Sequence, residues 1–217
     1  MIGILVILLT LPLIALTFRS VIRLEPDRGQ RVVQPGFTLD FYNELTINRR
    51  QSIFYSPPVT AIGVSLGYAG MTAGLSLLLG LPTAFALVRS NNRLNRLLDP
   101  LLMLPLGTSA VTLGLGFIVA LDQPPLDLRA SWLLVPLAHT LVAYPFVVRS
   151  LTPALRSLRP KLRQAGAVMG ASPPQVFLHI DLPMVARAIT VAATFAFTIS
   201  LGEFGATALL TRPEYPT

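Results

Sequence analysis

The sequence predicts an all-α fold, a polytopic transmembrane helix bundle, and three observations carry that prediction. Only 12% of the 217 residues are charged while 53% are hydrophobic, whereas soluble domains hold about a quarter charged residues. The apolar residues are gathered into long runs: 2–18, 59–88, 100–121 and 132–148 contain no Asp, Glu, Lys or Arg, and 185–210 contains only Arg187 and Glu203. Periodicity inside these runs is weak, as expected where every face of a helix meets lipid or another helix.

A spanning helix needs about 20 apolar residues, because each rises about 1.5 Å across a hydrocarbon core about 30 Å thick. The first run, 2–18, lacks the basic leader and the small-x-small cleavage site of a signal peptide, so it reads as a span. Residues 19–58 form a long polar connection. The run 59–88 is long enough to tilt, kink or extend beyond the bilayer, and Gly63, Gly67, Gly70 and Gly74 recur along it three or four apart, a spacing that predicts close helix packing. The runs 100–121, 132–148 and 185–210 complete a count of five spans, with Pro82, Pro105, Pro136 and Pro145 as expected kinks.

Charge sets the expected orientation, since cytoplasmic loops are enriched in Lys and Arg. Residues 89–99 carry Arg89, Arg93 and Arg96 against Asp99; residues 149–184 carry Arg149, Arg156, Arg159, Lys161 and Arg163 against Asp181; the loop between them, 122–131, carries Asp122 and Asp127 against Arg129. The alternation puts 89–99 and 149–184 inside and 122–131 outside. It also puts 19–58 outside, although that segment holds Arg19, Arg23, Arg28, Arg31, Arg49 and Arg50. The net charge of +7 therefore reads as topology-setting loop charge and not as a nucleic-acid stripe.

The stretch 164–183 is the most informative. It reads Gln164-Ala165-Gly166, three residues, Gly170, nine residues, then Ile180-Asp181-Leu182-Pro183. Residues 160–169 fit a short helix, with Ser157 as cap and Pro160 in the first turn. Gly170 suits the left-handed residue that ends such a helix. Ser172-Pro173-Pro174-Gln175 opens another, with Ser172 as N-cap and Gln175 at the capping-box position, and Leu182-Pro183 is expected to close it. The small side chains of Ala165, Gly166 and Gly170 would let a partner backbone approach. On physics alone, an amphipathic hairpin lying on lipid headgroups is the competing reading.

This spacing resembles the signature loop of binding-protein-dependent ABC transporter permeases: Glu-Ala-Ala, three residues, Gly, nine residues, Ile-x-Leu-Pro. Gln164 stands where the family has the acid, and Gly166 where it has the second alanine. Ser52-Ile53-Phe54-Tyr55 before Pro57-Pro58, Val64-Ser65-Leu66, Leu98-Asp99-Pro100 with Met103-Leu104-Pro105, and Ser200-Leu201-Gly202-Glu203-Phe204-Gly205-Ala206-Thr207 look closest to the iron(III)- and thiamine-type permeases. The resemblance covers roughly residues 37 to 217. It implies an importer subunit that forms the translocation pathway, with iron(III) or a thiamine-like compound as substrate. Residues 1–58 are then the first span and a periplasmic loop, and 59–217 the permease core with a cytoplasmic coupling-helix loop at 149–184. The implied coupling residues are Gln164, Ala165, Gly166, Gly170, Ile180, Leu182 and Pro183. The implied partners are ATP-binding cassette ATPase subunits, a periplasmic or lipid-anchored substrate-binding protein, a second permease half or copy, and membrane lipid. The implied location is the prokaryotic inner membrane. The family core has six spans, so the chain reads as a truncated second half of a fused permease.

No cofactor, metal or nucleic acid is expected. The sequence has no cysteine, which excludes thiolate metal sites and disulfides. Its one lysine, Lys161, follows Pro160 and is not part of a phosphate-cradling Gly-Lys-Ser/Thr loop, so ATP hydrolysis falls to another polypeptide. Glu203 is the only acid within an expected span. An ionised carboxylate there costs roughly 2.5–3.5 kcal/mol and must face protein or water; it reads either as a pathway or gate residue or as one half of a buried hydrogen-bonded pair. His139 reads as an interhelical hydrogen bonder. Two other classes remain at this point: an ion-coupled secondary transporter, which usually carries several intramembrane acids, and a non-transporting membrane fragment or scaffold.

Overall fold

A computed structural model describes residues 2–22, 36–45, 57–89, 99–121, 128, 131–158 and 160–211. Apart from one isolated bridge, every described element is a helix: α1 (Ile2–Val21), α2 (Asp40–Glu44), α3 (Pro58–Arg89), a 3-10 turn (Leu104–Gly107), α4 (Ala110–Ala120), α5 (Leu134–Arg156), α6 (Pro160–Val168), α7 (Pro173–Val176), a π turn (Phe177–Asp181), α8 (Leu182–Gly202) and α9 (Phe204–Leu210). Four helical stretches are long and apolar enough to cross a membrane: 3–21, 58–89, 134–156 and 173–202. The fold is the expected all-α polytopic bundle. Ser52–Tyr55, Leu98, Arg93, Arg96, Asp122, Asp127, Arg129, Arg159 and most of the charges of 19–58 lie outside the described residues.

The chain divides into two compact units, Met1–Ala61 and Ile62–Thr217. In the first, α1 carries an exposed apolar surface along its length. Its hydroxyls are satisfied internally: Thr10 Oγ1 donates to the Val6 carbonyl and Thr17 Oγ1 to the Leu13 carbonyl, each at 2.8 Å. This is what a lipid-facing helix requires, since hydrocarbon offers no partner. Beyond α1, Ile22 bridges Phe37 and the Tyr42 hydroxyl donates to Ser20 Oγ at 2.9 Å, tying α2 back to the end of α1.

In the second unit, α5 is the buried axis. Ala143, Val147, Leu151 and Leu155 on α5 pack with Ala84 of α3 and with Val185, Ala192 and Ala196 of α8. Small residues at these crossings let helices approach closely where no hydrophobic driving force separates them from lipid. Gly80 marks the tightest approach, for a Cβ there would lie 2.6 Å from Val147 Cγ1. The four glycines expected to pack, Gly63, Gly67, Gly70 and Gly74, instead have open space where a Cβ would stand. Among the described residues nothing covers their face of α3, because the buried face of the helix is the one carrying Tyr68, Ala69, Thr72, Ser76, Gly80 and Ala84.

Two apolar runs are broken where composition suggested continuous helices. Residues 100–121 turn through the 3-10 segment Leu104–Gly107 around Pro105, and α4 then restarts after Ser109, whose backbone is extended. At 11 residues, α4 is too short to cross alone. The run 185–210 breaks at Glu203, between α8 and α9. The short α4 and α9 pack on each other, with Gly114 against the Ala206 backbone, where a Cβ would lie 3.3 Å from Ala206 Cα.

The loop boundaries also shift. α5 continues past 148 to Arg156, and Ser157 closes it by donating to the Ala154 carbonyl at 2.7 Å, so Ser157 caps the end of α5 and not the start of α6. Asp99 and Arg149 approach to 3.9 Å, which sets the start of the 100–121 run beside the cytoplasm-facing half of α5 expected from charge.

Candidate functional site

The signature stretch folds as a helix–turn–helix knob. α6 begins at Pro160, where the missing N–H costs nothing, and ends at Val168. Gly170 has φ +85°, and the two bonds of a Schellman motif surround it: the Ala171 N–H donates to the Gly166 carbonyl and the Gly170 N–H to the Ala167 carbonyl, both at 3.0 Å. Ser172 then starts α7, with its N–H donating to Gln175 Oε1 at 2.8 Å and Pro173 at the first helical position.

Leu182-Pro183 does not close the second helix. Helix runs on from Pro173 to Gly202 through the π turn at Phe177–Asp181. A proline inside a helix removes one amide donor and crowds the carbonyl four residues before it. The wider π turn immediately upstream accommodates that loss, so the motif's proline shapes a continuous helix.

Within the knob, Gly166 is buried and faces the second helix: a Cβ there would meet Ile180 Cδ1 at 2.8 Å and Val176 Cγ2 at 3.4 Å. Its small size serves the internal packing of α6 on the π turn, not a partner's approach. Gln164, Ala165, Gly170 and Pro183 are exposed, Ile180 and Leu182 half-buried. Beside Gly170, Val168 and Met169 stand 88% and 87% exposed, an apolar tip among small side chains; sequence reading missed it because a single turn of a short helix carries no periodic signal. Arg163 Nε donates to Asp181 Oδ1 at 2.8 Å, and the Phe177 ring meets Phe85 of α3 edge-on, centroids 5.1 Å apart.

A second polar cluster sits inside the bundle. Glu203 is the N-cap of α9, its Oε1 accepting from the Gly205 and Ala206 N–H groups at 2.9 and 3.2 Å. Thr207 Oγ1 donates to the Glu203 carbonyl. That commits the hydroxyl proton, so the Thr207 oxygen accepts from His139 Nε2–H at 2.8 Å; Nδ1 pairs with Ser200 Oγ, also at 2.8 Å, and Ser200 Oγ meets Thr72 Oγ1 of α3 at 3.3 Å. His139 of α5 thus bridges α8 and α9 across their break, the interhelical role expected for it. Among the described residues, the hydrogen-bond partners of the Glu203 carboxylate are backbone amides of its own segment.

Glu203, His139, Ser200, Thr207, Ser65 and Tyr68 help line a cavity of about 360 Å³. The cavity is rich in hydroxyls, brings the carboxylate to open space, and joins α3, α5, α8 and α9.

A family model described as binding-protein-dependent transport system inner membrane component matches residues 76–214. The chain is 35% identical over 158 residues to the molybdenum transport system permease protein of Mycobacterium tuberculosis, covering 68% of this chain and 60% of that one. It is 33% identical over 166 residues to the protein of the same name from Escherichia coli K12, covering 71% and 72%. It is 26% identical over 172 residues to a Salmonella typhimurium protein named for 2-aminoethylphosphonate transport, covering 79% and 65%. The chain therefore spans about 60% of the length of the Mycobacterium relative. These names do not support the iron(III) and thiamine expectation. Within the segment 200–207 that suggested it, Ser200 and Thr207 hydrogen-bond to His139 and Glu203 caps a helix, so those residues serve the fold.

Proposed function

The chain belongs to the family of binding-protein-dependent transport system inner membrane components, and from that premise we propose that it is the membrane-spanning permease subunit of an ATP-driven importer for a small oxyanion. It is a multi-pass protein of the prokaryotic plasma membrane. The observation that carries the functional reading is the knob at 160–183, whose exposed tip at Val168 and Met169 is set by the left-handed turn at Gly170. An exposed apolar tip of this kind, flanked by small side chains, fits a groove on a separate subunit.

In this reading Gln164, Ala165 and Gly170 lie on the face that meets an ATP-binding cassette ATPase, while Gly166, Ile180, Leu182 and Pro183 hold the knob's shape. Residues 149–184 face the cytoplasm by the positive-inside rule, residues 1–58 supply one span and an outer loop, and 59–217 form the core. A periplasmic or lipid-anchored binding protein delivers the cargo, and a second permease copy completes the pathway. Because α8 continues unbroken from the knob, a displacement of the knob is passed along the helix toward the break at Glu203 and the cavity there. Glu203 is the pathway residue: movement of α8 against α9 alters the cavity that its carboxylate lines.

The oxyanion class is supported by relatives named for molybdenum and for 2-aminoethylphosphonate transport, since molybdenum travels in water as the tetrahedral molybdate dianion and a phosphonate shares its oxygen geometry. The test is uptake into vesicles holding the chain with its ATPase and binding protein. Labelled molybdate should accumulate only with ATP, and 2-aminoethylphosphonate should be tested as competitor. Uptake that persists without ATP but collapses with the ion gradient would overturn the importer reading.

A further inference from the structure

Resting on the coupling role just proposed, we propose that Arg163 and Asp181 are a positioning pair that fixes the angle of the knob on the bundle and thereby sets how much ATP-driven movement reaches the transport pathway. α6 is joined to α7 only through the turn at 169–172, with Gly170 in the left-handed region. The Schellman bonds fix the path of this turn, and side-chain contacts then hold α6 against the helix that follows. Those contacts converge on one short element, the π turn Phe177–Asp181.

On its α6 side, Arg163 Nε donates to Asp181 Oδ1 at 2.8 Å, with the Asp181 side chain 8% exposed and that of Arg163 39%. Gly166, one turn further along α6, receives Ile180 and Val176. At the start of the same turn, Phe177 meets Phe85 of α3 at 5.1 Å and 66°. The π turn is therefore gripped by α6 through a charge-assisted hydrogen bond and by α3 through an aromatic contact, and it runs straight into α8. Apolar contacts alone allow sliding; a directional bond to a nearly buried carboxylate allows one register. The family's signature pattern leaves the position before Leu-Pro unspecified, and Arg163 lies outside it, so the pair is a feature of this chain beyond the motif.

The experiment uses the assembled complex in lipid nanodiscs or vesicles, with two readouts: ATP hydrolysed per labelled molybdate transported, and capture of the ATPase by a crosslinking cysteine at Met169→Cys. Arg163→Met and Asp181→Leu should retain ATPase capture and basal hydrolysis while transport per ATP falls about 2- to 30-fold, the span seen when coupling residues remote from both ligands are changed. Arg163→Lys should keep most of the ratio, and the exchange Arg163→Asp with Asp181→Arg should recover a large part of the loss. A purely structural role predicts instead that capture, hydrolysis and transport decline together, and that result overturns the proposal. So do single variants with the wild-type ratio. If neither single variant accumulates, the exchange variant decides: accumulation with restored coupling supports the pair, and failure overturns it. A wild-type complex that never captures the ATPase defeats the underlying coupling role and not the pair specifically.

Discussion

Replacing Gly80 by alanine should loosen the crossing of α3 and α5, and the size of the effect follows from one distance. The added Cβ would lie 2.6 Å from Val147 Cγ1 and 3.3 Å from Val147 Cβ. Comfortable carbon–carbon contact is about 3.5–4.0 Å, so Val147 must retreat by roughly 1 Å. Valine has one strongly preferred rotamer in a helix, and Val147 is fully buried beside Leu151 and Ala143, so no rotation relieves the clash. Overpacking of this kind costs about 1–3 kcal/mol, against a gain of about 1 kcal/mol for alanine over glycine inside a helix. Gly74→Ala on the same helix has open space at its Cβ and retains only the gain. The difference between the two variants cancels helix propensity and isolates the clash at about 1–3 kcal/mol. Unfolding of each purified variant in detergent, titrated with SDS and followed by circular dichroism, measures it. Gly80→Ala paired with Val147→Ala should recover part of the loss. Equal stability of the two alanine variants, or no recovery in the pair, would refute the close approach of Gly80 to Val147.

Other variants test the knob and the inner polar cluster. Gly170→Ala forces a Cβ into the left-handed region at φ +85° and should cost about 1–2 kcal/mol, with Gly170→Asn less damaging, as read from thermal unfolding in detergent. His139→Ala removes two hydrogen bonds worth about 0.6 kcal/mol each within membrane proteins and leaves a void, so it should destabilise by about 2–4 kcal/mol, more than Ser200→Ala in the same SDS titration. Glu203→Ala removes the cap of α9 and should cost about 0.5–2 kcal/mol. Glu203→Gln keeps an acceptor oxygen and should hold stability near wild type, yet raise molybdate uptake because a carboxylate lining the cavity repels a dianion; unchanged uptake would reduce Glu203 to a helix cap.

Much of the knob was legible because its signals are local. Gly170 lies at φ +85°, and Ser172 with Gln175 forms the predicted helix start, since each depends on a few neighbouring residues. The apolar runs announced membrane helices for the same reason: burial in lipid requires composition and length alone. What failed were boundaries set by backbone accommodation and by distant contacts. Pro183 looks like a stop, but a π turn upstream absorbs it. Hydropathy is blind to Glu203 capping α9, and to the extended backbone at Ser109 that starts α4. Gly166 and Gly80 look like any other small residues until the helices that fill the space beside them are known. The Gly63–Gly74 stripe carries the clearest packing signal on α3, yet among the described residues nothing covers its face.

The central claim is that the tip beside Gly170 touches an ATPase, and a single-cysteine chain answers it most directly because the natural sequence contains none. Met169→Cys, carrying a short photoactivated crosslinker and embedded with its co-expressed partners, should form a covalent product with the ATP-binding subunit, whereas a cysteine at Leu9 on α1 should not. A Met169 probe labelled only from the outer side of the membrane, or crosslinked to lipid alone, would contradict the assignment.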